Sequence, residues 1–219
     1  MKEFHVKDPV SALTHFIGFL LAITGIPFLL NRASDNGGTA STLVSLAVFM
    51  AGLVLLYGAS SAYHTFYISE AIDRLLKKLD HMMIFVLIAA SYTPVCIIAL
   101  PWNVGKPLLT AVWAIAVIGI VFNALWIDCP KWISSVIYIA MGWAVIFAFR
   151  PVIHALPTGG FIWLLAGGLF YTVGGVIYAC KIRSLEKNKF FRTHELFHIF
   201  VMAGSFCHFM NALLYLAQM

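Results

Sequence analysis

Residues 41–63 read STLVSLAVFMAGLVLLYGASSAY and contain no Asp, Glu, Lys or Arg. A run of this length is sufficient for an α-helix to cross a bilayer, which takes ~20 apolar residues. A helix pairs its own backbone N–H and C=O groups, and lipid offers those groups no other partner. The run therefore predicts a membrane-spanning helix, and His64 follows directly at its end.

Apolar runs of similar length continue along the rest of the chain. Hydrophobic residues make up 62% of the sequence and charged residues 11%, a composition typical of polytopic membrane proteins. The linkers are short, and the first run lacks a signal-peptide cleavage site, so we expect it to be retained. We predict an all-α membrane protein in which residues 1–219 form a single seven-transmembrane helix bundle. Its spans are expected at roughly 10–30, 41–63, 82–100, 107–127, 132–149, 161–180 and 196–217.

The basic residues predict the orientation of this bundle. With a cytoplasmic N-terminus, the inner segments hold eleven of the fourteen Lys and Arg, and the outer segments hold Arg32, Lys106 and Arg150. The positive-inside rule thus places the N-terminus in the cytoplasm and the C-terminus outside, in the inner or plasma membrane of the cell. Contact with anionic head groups accounts for the net charge of +5. Membrane lipids are the expected partners, nucleic acid is not, and the oligomeric state is left open.

Three polar clusters lie at the ends of predicted spans. They are the segments S-S-A-Y-H at 60–64, L-D-H at 79–81 and H-E-L-F-H at 194–198. The predicted topology places all three at the cytoplasmic edge. Residues four apart share one face of an α-helix, so His194 and His198 can hold one ion, and Ser60 lies beneath His64.

Three imidazoles with an open fourth position suit catalytic zinc, so we predict that His64, His194 and His198 bind Zn²⁺. A structural zinc site would more often be closed by a cysteine, and none of the four cysteines lies at a matching position. Asp80 is expected to orient or deprotonate a metal-bound water. The alternative is that Asp80 complements the dipole at the start of a helix.

Further polar residues have two interpretations each. Because H-E-x-x-H is the zincin pattern, Glu195 is either a base near the metal or a solvated residue of the first helical turn. His208 lies ten residues beyond His198, about 15 Å along a helix, which is too far to share the metal. His208 and His15 either contact a ligand or are structural histidines paired with nearby polar groups. The remaining histidines, His5, His81 and His154, are interpreted as polar interfacial residues.

Taken together, these motifs resemble the progestin and adiponectin receptor superfamily, and in particular its bacterial hemolysin III branch. The resemblance rests on S-x-x-x-H at 60–64, L-D at 79–80, H-x-x-x-H at 194–198 with the later His208, and T-H-F-I-G-F around His15. It implies seven helices with an inside N-terminus. It also implies zinc on the three predicted histidines, with Ser60 and Asp80 around the metal-bound water.

Two classes of function are consistent with this resemblance. The likeness of the receptor members to alkaline ceramidases implies hydrolysis of a lipid amide or ester, in which Asp80 takes a proton and Ser60 stabilises the oxyanion. The name hemolysin III implies pore formation, and a lipid sensor or receptor with structural zinc is a related non-enzymatic alternative. A secreted toxin has to leave its producer in soluble form, whereas seven apolar helices favour a resident membrane protein.

Overall fold

The computed structural model describes residues 5–180 and 192–219, and every regular element in these two ranges is helical. Seven helical spans are long and apolar enough to cross a membrane, as the sequence predicted. This confirms the seven-helix fold class and a multi-pass membrane protein. The first to seventh spans are Pro9–Asp35, Ala40–Thr65, Glu70–Ala99, Trp102–Leu125, Lys131–Ala155, Thr158–Cys180 and Thr193–Gln218.

Local sequence determines where several spans begin. The side chains of Thr39 and Ser69 cap the second and third spans, where they accept backbone N–H bonds at 3.2 and 3.4 Å. Proline stands immediately before the fourth, fifth and sixth spans, at Pro101, Pro130 and Pro157. Proline has no backbone N–H, and an N–H at these positions would have no intrahelical partner. Proline can therefore stand at the start of a helix without the loss of a hydrogen bond.

The third span begins earlier than the apolar pattern indicated. Its helix starts at Glu70, twelve residues before the predicted start at 82. Charged residues exclude this first part from an apolar run, but a helix that extends beyond the lipid needs no apolar surface. Asp80 therefore lies ten residues inside the helix. The interpretation of Asp80 as a dipole-complementing residue at the helix start is wrong, because Glu70 and Asp73 occupy the first turn.

The third and fifth spans each contain a segment that is not α-helical. Pro94 ends the α-helical part of the third span, which continues as a π-helical turn over Val95–Ala99. The fifth span changes to a 3₁₀ helix over Trp143–Ala148. There the Tyr92 hydroxyl accepts a bond from the Val145 N–H at 2.9 Å and donates to the Gly142 carbonyl at 2.5 Å. A neighbouring span thus satisfies backbone groups that the broken helix frees.

The spans form a closed bundle. The first span packs against the second and the seventh, the second against the third, and the third against the fourth and fifth. The fifth packs against the sixth, and the sixth against the seventh. Because successive spans run in opposite directions, the end of the second span and the start of the seventh lie at the same end of the bundle.

Gly52 sets the close approach of the second and third spans, and Gly52→Ala should destabilise the protein. A Cβ added there would lie 2.6 Å from Ala90 Cβ, which has no flexible end that could move away. We expect a loss of about 1–3 kcal/mol, larger than the helix-propensity gain of up to ~1 kcal/mol. Thermal unfolding in detergent measures it. Gly168→Ala is the control because its Cβ would meet nothing within 4 Å, and an equal melting temperature in the two variants would contradict the packing argument.

A three-histidine candidate metal centre

Three histidines from two spans meet at one end of the bundle. His64 lies in the last turn of the second span, and His194 and His198 lie one turn apart at the start of the seventh. One ring nitrogen from each lies within 4.8 Å of the other two. The Nε2 atoms of His64 and His194 are 3.0 Å apart. The three rings therefore form a group that can hold a metal ion.

The spacing within this group suits a small divalent cation. Tetrahedral zinc, with Zn–N bonds of ~2.0–2.1 Å, places two ligand nitrogens about 3.3 Å apart, close to the observed 3.0 Å. Among the described residues, the Nδ1 atom of His198 is buried without a hydrogen-bond partner. Buried polar atoms in native proteins are usually paired. Ring nitrogens that face one another in this way are compatible with a bound cation.

Asp8 contacts this group, although the sequence did not single it out. Its Oδ2 atom accepts a hydrogen bond from the Nδ1–H of His64 at 2.9 Å. A carboxylate at this position fixes the imidazole tautomer and leaves the Nε2 lone pair available to a metal. The same hydrogen bond lowers the pKa of the Asp8 carboxyl despite partial burial, and the charges of Lys7 and Arg192 act in the same direction.

Sequence reasoning missed Asp8 because its position has an ordinary local explanation. It immediately precedes Pro9 at the start of the first span, where Asp is a common helix cap. In the structure its side chain makes no capping bond and contacts His64, 56 residues further along the chain. A contact over that separation leaves no periodic or motif signal.

Glu195 has a local structural role in the H-E-x-x-H motif. Its Oε2 atom accepts a bond from the Arg192 backbone N–H at 3.1 Å, and its Oε1 atom accepts one from the Arg192 guanidinium at 3.2 Å. The carboxylate thus caps the start of its own helix. Glu195 also does not line the internal cavity beside His194 and His198. This arrangement favours a first-turn residue over a catalytic base. The prediction that Glu195 is solvated is wrong, because its side chain is buried against the start of the helix.

A cavity of ≈ 340 Å³ extends from the histidines into the bundle. Its walls come from the first, second, third, fifth, sixth and seventh spans and are mostly apolar. The predicted residues Ser60, Asp80, His15 and His208 all line it, together with His194 and His198. A long apolar molecule with one polar group could therefore place that group beside the three-histidine group.

Asp80 and His81 stand next to each other in the cavity wall. Asp80 is buried, and its Oδ2 atom lies 3.6 Å from His81 Nδ1. His81 was interpreted as an interfacial residue, but its side chain is only 14% exposed. Its Nδ1–H donates to the Lys77 carbonyl at 2.9 Å, and its Nε2 accepts from the Tyr178 hydroxyl at 3.3 Å. Both ring nitrogens of His81 thus have hydrogen-bond partners, and Asp80 stands beside this ring in the cavity wall.

His15 and His208 lie at different depths in the same cavity. The His15 ring stacks on His198 with centroids 3.6 Å apart, and neither of its nitrogens has a hydrogen-bond partner in the described chain. His208 stacks on Tyr171 at 5.2 Å. A Cβ at Gly167 would lie 2.7 Å from His208 Nε2, so glycine provides the room for this ring. Two further imidazoles are therefore available to a molecule in the cavity.

Fold and site together define a class: seven-span helical membrane proteins with three histidines, from the second and seventh spans, at one end of an internal apolar cavity. The Haemolysin-III related family matches residues 4–209. The chain belongs to this family, which confirms the resemblance that the motifs indicated.

The curated relatives agree with this assignment. The chain is 35% identical to Hemolysin-3 of Bacillus cereus over 215 residues, which cover 98% of this chain and 94% of the relative. It is also 35% identical to the Hemolysin-3 homolog of Bacillus subtilis (strain 168), over 97% of this chain and 96% of that protein. Identity to Progestin and adipoQ receptor-like protein 1 of Caenorhabditis elegans is 28%, over 90% of this chain and 49% of that protein.

The contact between Asp8 and His64 predicts that Asp8→Ala weakens metal binding. Removing such a carboxylate typically lowers metal affinity about 10–100-fold. Competition with a chromophoric chelator measures the affinity of purified protein for Zn²⁺ and Co²⁺. Asp35→Ala, at the other end of the same span, is the control and should bind as wild type does. Equal affinity of Asp8→Ala and Asp35→Ala would show that Asp8 does not support the metal.

Proposed function

We propose that this chain is a resident membrane protein that binds Zn²⁺ through His64, His194 and His198 and hydrolyses an amide or ester bond of a lipid. One observation carries the proposal: nitrogens of the three histidines lie within 4.8 Å of one another beside an apolar cavity inside the bundle. The distribution of Lys and Arg favours a cytoplasmic position for this end of the bundle.

Zinc fits the donor set better than a hard cation does. The group consists of imidazole nitrogens alone, whereas magnesium and calcium prefer oxygen ligands. No cysteine belongs to the group, and the hydrogen bond from His64 to Asp8 is typical of a zinc-binding histidine. Zinc on three protein ligands supplies a Lewis acid and lowers the pKa of a bound water toward ~7.

The cavity favours a substrate with a long apolar chain. Its volume of ≈ 340 Å³ lies at the lower end of the range for small-molecule sites. The lining beyond the histidines includes Leu56, Ile88, Val95, Ile139 and Leu164. Such walls would hold an acyl or sphingoid chain and orient a carbonyl group toward the histidines.

Asp80 and Ser60 then have separate roles in hydrolysis. Asp80 is buried in the cavity wall, and its carboxylate accepts a proton from the attacking water. The Ser60 hydroxyl is fully buried and has no partner among the described residues. A buried hydroxyl without a partner costs about 1–3 kcal/mol, so a ligand oxygen at this position would be stabilising. Ser60 donates a hydrogen bond to the oxyanion that develops at the substrate carbonyl.

The second candidate function is non-enzymatic: a pore or a lipid sensor in which zinc is structural. Two observations favour it. A metal on this group would tie the end of the second span to the start of the seventh. The Bacillus relatives, moreover, carry the name Hemolysin-3. In this case metal removal lowers stability by mass action, and no turnover is lost.

Metal analysis tests the assignment of the ligands. Wild type, purified in mild detergent, should contain about one zinc per chain by mass spectrometry, because three imidazoles and an open position suit that ion. His64→Ala, His194→Ala and His198→Ala should each lose it. His154→Ala at the other end of the bundle is the control and should retain it. Metal-free wild type, or full zinc in any of the three ligand variants, would contradict the ligand set.

Asp80→Asn separates catalysis from metal binding. The variant should retain zinc but lose at least about 100-fold in the hydrolysis of a long-chain N-acyl amide and a long-chain ester, because Asn cannot take up the proton. Glu70→Gln, an exposed change in the same span, should keep both properties. Unchanged turnover in Asp80→Asn would reject Asp80 as the base. Zinc-loaded wild type that cleaves neither probe would favour the structural role of the metal.

A further inference from the structure

A second cavity forms a groove on the outside of the bundle. It has a volume of ≈ 700 Å³, with walls from the first and seventh spans and a floor that includes Met50 and Tyr57 of the second. Exposed apolar side chains, among them Leu21, Phe28 and Phe206, border it. Because these helices cross the membrane, the groove faces the lipid.

The groove is separate from the internal cavity. The Tyr57 hydroxyl donates to Ser205 Oγ at 2.7 Å, and Tyr171, which lines the internal cavity, hydrogen-bonds the same oxygen at 2.9 Å. Two glycines also bring the first span close to the floor and to the seventh span. A Cβ at Gly18 would lie 2.9 Å from the Tyr57 ring, and one at Gly25 would lie 3.1 Å from the Phe209 ring. The floor is therefore packed and hydrogen-bonded.

The groove is long enough to cover the hydrocarbon of one lipid leaflet. Its lining on the first span runs from Gly18 to Arg32, fifteen residues whose Cα atoms extend about 21 Å along a helix. Half of a ~30 Å hydrocarbon core is about 15 Å. An acyl chain can therefore lie along the groove while its head group remains near Arg32.

Arg32 gives the groove a charged end. Its side chain is exposed, and among the described residues its guanidinium has no hydrogen bond or ion pair. Lys106, another basic residue toward this end of the bundle, lies over the Trp102 ring at 5.7 Å instead. A guanidinium binds phosphate oxygens through two parallel hydrogen bonds. A lipid phosphate at the membrane surface would complement the charge of Arg32.

We propose that this groove binds a glycerophospholipid, with one acyl chain between the first and seventh spans and the phosphate on Arg32. The site is independent of the three-histidine group and of any hydrolysis there. A lipid bound in this way holds the first and seventh spans together on their lipid-facing side.

Thermal unfolding of delipidated protein in a non-ionic detergent tests the site. Phosphatidylglycerol should raise the melting temperature of wild type more than diacylglycerol with the same acyl chains, because a ligand of the folded state stabilises it. Inorganic phosphate alone should have no effect. Arg32→Gln should need about tenfold more phosphatidylglycerol for the same shift, the loss of one charge-assisted contact.

Two further variants make the result specific. Arg150→Gln removes a basic residue at a similar depth of the fifth span, away from the groove, and should respond as wild type does. Thr24→Phe fills the groove from an exposed position and should reduce the shift with both lipids. The proposal is overturned if Arg32→Gln and wild type respond equally to phosphatidylglycerol. It is also overturned if inorganic phosphate reproduces the shift, since the ligand would then be a free anion.

Discussion

The candidate site depends on three imidazole rings whose nitrogens face one another inside a helical bundle. At an Nε2–Nε2 distance of 3.0 Å, His64 and His194 can share one proton, whereas a cation can satisfy them and His198 together. Protonating several rings at once would place like charges side by side where water is scarce, which is costly. A single metal cation therefore satisfies the group better than several protons do. The closed bundle makes this possible because the first span lies beside both the second and the seventh.

The apolar pattern was sufficient to predict all seven spans, because a chain in lipid has few ways to satisfy its backbone groups. Hydropathy indicates where a chain enters the lipid, but a helix can extend beyond the lipid. The predicted span boundaries were therefore less accurate than the number of spans. The helix of the third span continues from residue 82 back to Glu70 through charged residues that hydropathy excludes. The break at Trp143–Ala148 also left no signal, because it contains no proline and its freed N–H is satisfied by Tyr92 of another span.

The three histidines were predictable for a simpler reason than any catalytic motif. Alternating crossings place the end of an even span and the start of an odd span at the same level, and two of the histidines are one helical turn apart. Asp8 was not predictable in this way, since its contact with His64 depends on how the N-terminal segment meets the second span. For Glu195 the H-E-x-x-H motif left a catalytic base and a first-turn residue open, and the capping bond of its carboxylate favours the second.

The polar groups between the two cavities are paired with one another, whereas several of those near the histidines are not. Between the two cavities, the hydroxyls of Tyr57, Ser205 and Tyr171 pair with one another, so this polar layer needs no ligand. Near the histidines, Ser60 Oγ and both nitrogens of His15 are buried without a partner in the described chain. Each such group costs about 1–3 kcal/mol unless water or a ligand completes it. Polar groups of this kind, gathered around a metal-binding geometry and opening onto an apolar cavity, favour a site shaped for a bound molecule over one that only joins helices.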